Sequence, residues 1–295
     1  MKLLTFKHEK KTRIGVLDNG CVVDVTAVDP DVPGDMNALI ELGDEGIAMV
    51  SGALRRASGD NRIDVDEVKI LAPIPKPHRN IFCVGKNYHA HAEEFHGSGF
   101  DAADKTAIPD VPIFFTKATT SVIGPSEPIP ASSDPAASTD YEVELVIVIG
   151  SGGRNIDPQD VAKHIFGYTI INDVTSRGLQ RRHKQWFLGK SFDGFCPMGP
   201  CIVTTDEVGE LDRIEVRTLV NGELRQKALV RDMIFDVPTI ISTLSSVVSL
   251  QPGDLIATGT PDGVGIGFEP PRYLIPGDQV VLTIEPIGEL CNPVV

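Results

Sequence analysis

The chain has 295 residues, of which 41% are hydrophobic and 23% charged, the balance of an ordinary globular protein. Acidic residues outnumber basic ones by 41 to 27, for a net charge of −14. Such a surface repels phosphate backbones and anionic lipid, which argues against nucleic-acid and membrane roles, and 6% aromatics is too few for a stacking platform.

No stretch reaches the roughly 18 apolar residues of a membrane span. The longest, residues 233–250, is broken by Asp236, Pro238 and serines. The sequence turns polar at residues 7–11, which predicts no secretory leader. Five widely spaced cysteines without a CxxC pair suit a reducing cytoplasm and not a zinc ribbon or disulfide framework.

In chain order, Asn19-Gly20 between two apolar runs predicts a two-residue hairpin, because both residues tolerate positive φ. Residues 36–57 carry apolar side chains near helical spacing, interrupted by Gly43 and Gly46, and predict one or two helices. Pro73, Pro75 and Pro77 then stiffen the chain and suggest a boundary between a small β-plus-helix unit (1–72) and the remainder (73–295). Beyond it, strands are predicted at 81–84, 113–115, 143–149, 167–171, 201–204, 214–220, 255–257 and 280–284. Helices are predicted only near 158–165, 176–185 and 237–246. This is an α+β protein, mostly β, without a βαβ series.

Four constellations carry chemistry. Glu142 and Glu144 lie two apart at the start of an apolar strand and so share a face. They are either a solvated strand face or a pair held together by a hard cation. Asp173 ends another apolar strand, and three oxygen donors without His or Cys point to Mg²⁺ or Mn²⁺. His91 and Glu94 are three apart, either a surface ion pair or a general base whose imidazole is oriented by the carboxylate. Lys190 stands among apolar and glycine residues, where a lysine seeks an anion unless the loop is exposed. The run from Thr258 to Gly265 is glycine-rich but lacks the spacing and lysine of a P-loop.

Together these motifs resemble the fumarylacetoacetate hydrolase family over about residues 73–290. The shared patterns are Asn87-Tyr88-x-x-His91-x-x-Glu94, Tyr141-Glu142-x-Glu144-Leu, Asn172-Asp173, the run from Lys190 to Pro200, and Gly259-Thr260-Pro261-x-Gly263-Val. The resemblance implies a mixed β-roll catalytic domain, a homodimer, and Mg²⁺ or Mn²⁺ on Glu142, Glu144 and Asp173. It also implies His91 and Glu94 as a water-activating dyad on a lid that spans about residues 91–109, including Gly97, Gly99, Ala102 and Ala103. Lys190, Lys117, Gln180 and Thr260 would hold the substrate. One departure is Gly178, where many relatives carry Asp, two positions before Gln180.

The implied substrate is a small 2-oxo or dioxo acid, and its reaction passes through an enolate whose charge the cation and Lys190 would stabilise. With the dyad intact, the favoured reaction is hydrolysis of a C–C bond in a 2,4-dioxo acid of the acylpyruvate type. The same site would also serve decarboxylation of an oxaloacetate-like acid, or isomerisation of a hydroxymuconate-type diacid. A non-catalytic binding protein is the reading from another class.

Overall fold

A computed structural model describes residues 1–99 and 106–295. The main sheet is built from β1 (Lys2–His8), β2 (Lys11–Asp18), β3 (Cys21–Asp24), β4 (Arg62–Asp64), β5 (Ile81–Gly85), β6 (Ile113–Lys117), β7 (Val143–Ile149), β8 (Ile165–Asn172), β9 (Cys196–Thr204) and β12 (Leu255–Ala257). Its order is β4-β3-β2-β1-β9-β8-β7-β12-β5-β6. A smaller sheet joins β10 (Glu215–Val220), β11 (Glu223–Leu229), β13 (Gln279–Ile284) and β14 (Gly288–Pro293) in the order β11-β10-β13-β14. The mixed, mostly β architecture expected from the strand pattern is what forms. Among the described residues, no helix is long and apolar enough to cross a membrane.

Local chemistry explains the elements that the pattern predicts. Asn19 (φ 49°) and Gly20 (φ 80°) turn β2 into β3 through the left-handed conformation that this dipeptide tolerates. Residues 36–57 form two helices, α1 (Met36–Glu41) and α2 (Asp44–Arg56), which break at Gly43 with φ 55°. α1 starts where the Asp35 side chain accepts the Ala38 N–H. α2 opens on Asp44 and Glu45 and closes on Arg55 and Arg56, matching the helix dipole at both ends. The 158–165 helix is a 3₁₀ segment, Pro158–His164.

The central strand β7 is buried at every residue, because the two faces of the sheet cover two cores. Val143, Leu145, Ile147 and Ile149 enter one core with the smaller sheet's Val216, Leu282 and Ile284. Val146 and Val148 enter the other. The N-terminal strands join both: Leu4 and Phe6 pack in the first, and Leu3, Ile14 and Val16 in the second. β1 hydrogen-bonds β9 in antiparallel register, so residues before and after the proline segment complete one continuous sheet.

Past the sheet edge, Asp134 organises the approach to the central strands. It accepts the backbone N–H of Ala136 and of Ser138, both at 2.9 Å, and the hydroxyls of Ser138, Thr139 and Ser176. Ser176 in turn caps α4 (Arg177–His183). Burial would raise the Asp134 carboxyl, but the Ser176 hydroxyl and the Ala136 and Ser138 amides hold it below the usual carboxylate range. Its stabilising contribution is therefore complete above the unfolded value, near ~4, and is lost as pH falls through the depressed folded value. Asp134→Asn should cost about 2 kcal/mol at neutral pH. Thermal unfolding followed against pH should show the gap to wild type closing in acid; a constant gap would contradict this account.

Candidate active site and metal centre

The site forms where β7 and β8 begin and end. Val143 pairs with Asn172 in antiparallel register, which sets the residue before β7, Glu142, opposite the residue after β8, Asp173. The Asp173 N–H donates to the Glu142 carbonyl (2.8 Å), and the Glu142 N–H donates to Asn172 Oδ1 (2.9 Å). Glu144 lies two residues along β7. One carboxylate oxygen from each of Glu142, Glu144 and Asp173 falls within 4.8 Å of the others, and all three residues are buried.

Three such charges cannot share a dry site unless they are paired. Lys190, at the end of α5 (Phe187–Lys190), reaches both Glu142 Oε2 and Asp173 Oδ2 at 2.6 Å. Arg177 lies 2.7 Å from Glu142 Oε1, and its Nε donates to Asp140 at 2.8 Å. Lys117 sits 2.7 Å from Asp173 Oδ1 while donating to the carbonyls of Val174 and Lys190. Burial pushes the Glu142 carboxyl up, but Lys190 and Arg177 outweigh it and bring it down to about 2. Burial disfavours the charge on Lys190 as well, and the facing Asp173 and Glu142 more than restore it. Glu144 goes the other way: burial raises its carboxyl well above the usual range, and the charges of Asp173 and Glu142 raise it further.

The donor set fits a hard divalent cation. Asp173 Oδ1, 2.7 Å from Lys117, is buried in one cluster with the carboxylates of Glu142 and Glu144. All three donors are carboxylate oxygens, the ligands of Mg²⁺ or Mn²⁺ and not the sulfur and imidazole set of zinc.

His91 and Glu94 lie on α3 (His89–Gly97), with His91 Nδ1 3.3 Å from Glu94 Oε2. α3 is pinned at its start by Asn87, whose side-chain amide donates to the carbonyls of Phe235 and Thr258. The glycine-rich run after β12 holds its other end. The Gly263 N–H donates to Glu94 Oε1 (3.0 Å), and a Cβ on Gly267 would collide with the same carboxylate. Gly259 (φ 103°) likewise gives its N–H to Glu144 (2.9 Å), and Gly265 and Ile266 give theirs to Asp140. This loop binds carboxylates of the protein itself through its backbone.

A pocket of about 20 Å³, room for about one water, is lined by His91, Glu142, Glu144, Gln180, Lys190 and Thr260, with Lys86, Arg177, Phe95, Phe115 and Trp186 around them. Six of the nine residues singled out from sequence thus share its wall. Asp173 and Lys117 adjoin it through Lys190, and Glu94 through His91. Gln180 faces the pocket despite Gly178: any side chain at 178 would meet Ala136, and the Gly178 N–H is bonded to Ser138. The proposed lid begins in α3, while Ala102 and Ala103 lie outside the described residues.

Three residues that support the site were given no role by sequence reasoning. Arg177 and Asp140 form the buried pair that supports Glu142 and Gln180. Gln226 donates to Thr260 Oγ1 at 2.8 Å, leaving the threonine hydroxyl proton available to a ligand. An acid at the edge of an apolar strand followed by an isolated arginine is a weak signal, and nothing local marks Gln226.

The chain is similar to known proteins along its whole length. The family described as Fumarylacetoacetate (FAA) hydrolase C-terminal matches residues 80–295. Oxaloacetate tautomerase YisK of Bacillus subtilis is 42% identical, with all of both chains covered. The solved fumarylacetoacetate hydrolase of Exiguobacterium antarcticum is 43% identical with a TM-score of 0.84, covering 100% of this chain and 99% of that one. Maleylpyruvate hydrolase from Sphingobium sp. SYK-6, solved with manganese(II) and pyruvate, is 32% identical with a TM-score of 0.80 over the same shares.

Replacing Glu144 by Gln removes a charged oxygen at nearly constant shape. Mn²⁺ affinity measured by calorimetry should fall by about 10-fold or more, with an unchanged far-UV circular dichroism spectrum. Wild-type affinity in the variant would remove Glu144 from the ligand set.

Proposed function

The chain belongs to the fumarylacetoacetate hydrolase family, and on that premise we propose that it is a divalent-cation-dependent enzyme interconverting the keto and enol forms of an oxaloacetate-like 2-oxo diacid. The observation that carries the reading is the presence of His91, backed by Glu94, on the wall of the same small pocket as Glu142 and Glu144. The similarity to an oxaloacetate tautomerase across both whole chains favours tautomerisation over the C–C hydrolysis preferred from sequence motifs.

When bound at Glu142, Glu144 and Asp173, Mg²⁺ or Mn²⁺ would supply Lewis-acid polarisation of the oxo group. The protein's own groups do the rest. An Nδ1 proton donated to Glu94 leaves His91 Nε2 with a free lone pair, the form needed to take a proton from the carbon beside the oxo group. A proton returned to the oxo oxygen completes the enol. One C–H bond breaks, one O–H bond forms, and no water is consumed. Lys190, kept cationic by Asp173 and Glu142, attracts the anionic acid despite the overall charge of −14. The Gln180 amide and the Thr260 hydroxyl offer hydrogen bonds that fix its orientation.

The second reading, hydrolysis of an acylpyruvate-type dioxo acid, uses the same dyad to activate water and draws support from the likeness to maleylpyruvate hydrolase. Both reactions should stop on chelation and return with Mn²⁺ or Mg²⁺. His91→Ala should lower kcat for oxaloacetate enolisation, followed by ultraviolet absorbance, by about 100-fold or more while leaving Mn²⁺ affinity near wild type. Rapid acylpyruvate cleavage with no enolisation would transfer the assignment to the hydrolase.

A further inference from the structure

Trp186 is the chain's single tryptophan, and it lies at the pocket. It immediately precedes α5, and its carbonyl accepts the N–H of Lys190 (3.1 Å), so the indole and the lysine belong to one rigid turn. Its ring meets Phe115 edge-on at 5.1 Å between centroids, and Phe95 of α3 at 6.0 Å. Such edge-to-face contacts hold an aromatic ring in one orientation. Beneath it, the chain leaves room by having no side chain: a Cβ on Gly85, at the end of β5, would collide with Trp186 Cζ3. The indole therefore occupies the volume into which the pocket would otherwise extend, and about 20 Å³ is left beside the carboxylates.

We propose that Trp186 sets the substrate's length: the indole blocks the far end of the pocket, so that the site accepts short 2-oxo acids and rejects those with extended apolar tails. This rests on the proposed reading that a 2-oxo acid binds beside Glu142, Glu144 and Asp173. The acid's oxo and carboxylate end would lie near those residues and Lys190. Phe115 borders that end, its ring centroid 5.2 Å from Lys190 Nζ, and a tail running on toward Gly85 would meet the indole of Trp186. A chain long enough to reach that wall requires the indole to leave its three contacts. Because the ring is only partly buried, its removal opens the pocket toward solvent without unseating a core residue.

Pyruvate and 2-oxooctanoate separate length from chemistry, since neither carries a second carbonyl to be cleaved. Calorimetry on Mn²⁺-loaded wild-type protein should show pyruvate binding about 10-fold or more tightly than 2-oxooctanoate, the size of discrimination that a closed apolar wall provides. Trp186→Ala should abolish or invert that preference, and Trp186→Phe should fall between, providing a second test should the alanine variant fold poorly. Equal affinities in wild type, or an unchanged ratio in both variants, would overturn the proposal, as would failure of wild type to bind either acid. Oxaloacetate enolisation assayed in parallel judges the functional reading separately. Discrimination without enolisation refutes the reaction and keeps the length filter, and enolisation without discrimination does the reverse.

Discussion

Everything at the site follows from the cost of placing three carboxylates within 4.8 Å of one another in a dry interior. Such charges persist only if cations and hydrogen-bond donors reach them from several directions. Lys190, Lys117 and Arg177 each come from a different element. That requirement ties α4, α5, β6, β7 and β8 together. It also explains why a chain with so acidic a surface buries some of its largest cationic side chains: Arg177, Lys117 and Lys190 are among the largest fully buried residues of the protein.

The neutralisation is uneven. Glu142 is held firmly ionised by Lys190 and Arg177, whereas Glu144 has its carboxyl raised by burial and by its acidic neighbours. A site arranged this way is poised for one further positive charge beside Glu144. The glycine-rich run beyond β12 serves this arrangement. Its backbone N–H groups reach Glu144, Glu94 and Asp140, and glycine is required where φ is positive or where a Cβ would strike Glu94. Through Glu94 and Glu144 the loop also couples α3, and with it His91, to β7.

The N-terminal strands contribute to this rigidity at a distance. β1 completes the sheet beside β9, and its alternate residues enter both cores that flank β7. The strand carrying Glu144 is therefore clamped on two faces by side chains drawn from the whole chain. The proline-rich segment at residues 73–77 changes the direction of the backbone without dividing the sheet.

The sequence by itself determined what is local. Short apolar runs punctuated by glycine and proline located the strands, and Asn19-Gly20 located a hairpin. Carboxylates two apart at a strand mouth, with a third acid after another strand, located the triad. These features depend on backbone preferences and side-chain spacing within a few residues. Only the tertiary structure decided the register of β7 on β8, which sets Glu142 against Asp173, and the partners of charges distant along the chain. Arg177 meets Asp140 across 37 positions, and Lys117 meets the Lys190 carbonyl across 73. Read alone, an arginine or lysine is a surface residue, because charged side chains are seldom buried without partners. Its burial is decided by which acid the folded chain brings to it, and that choice is made by the packing of both cores at once.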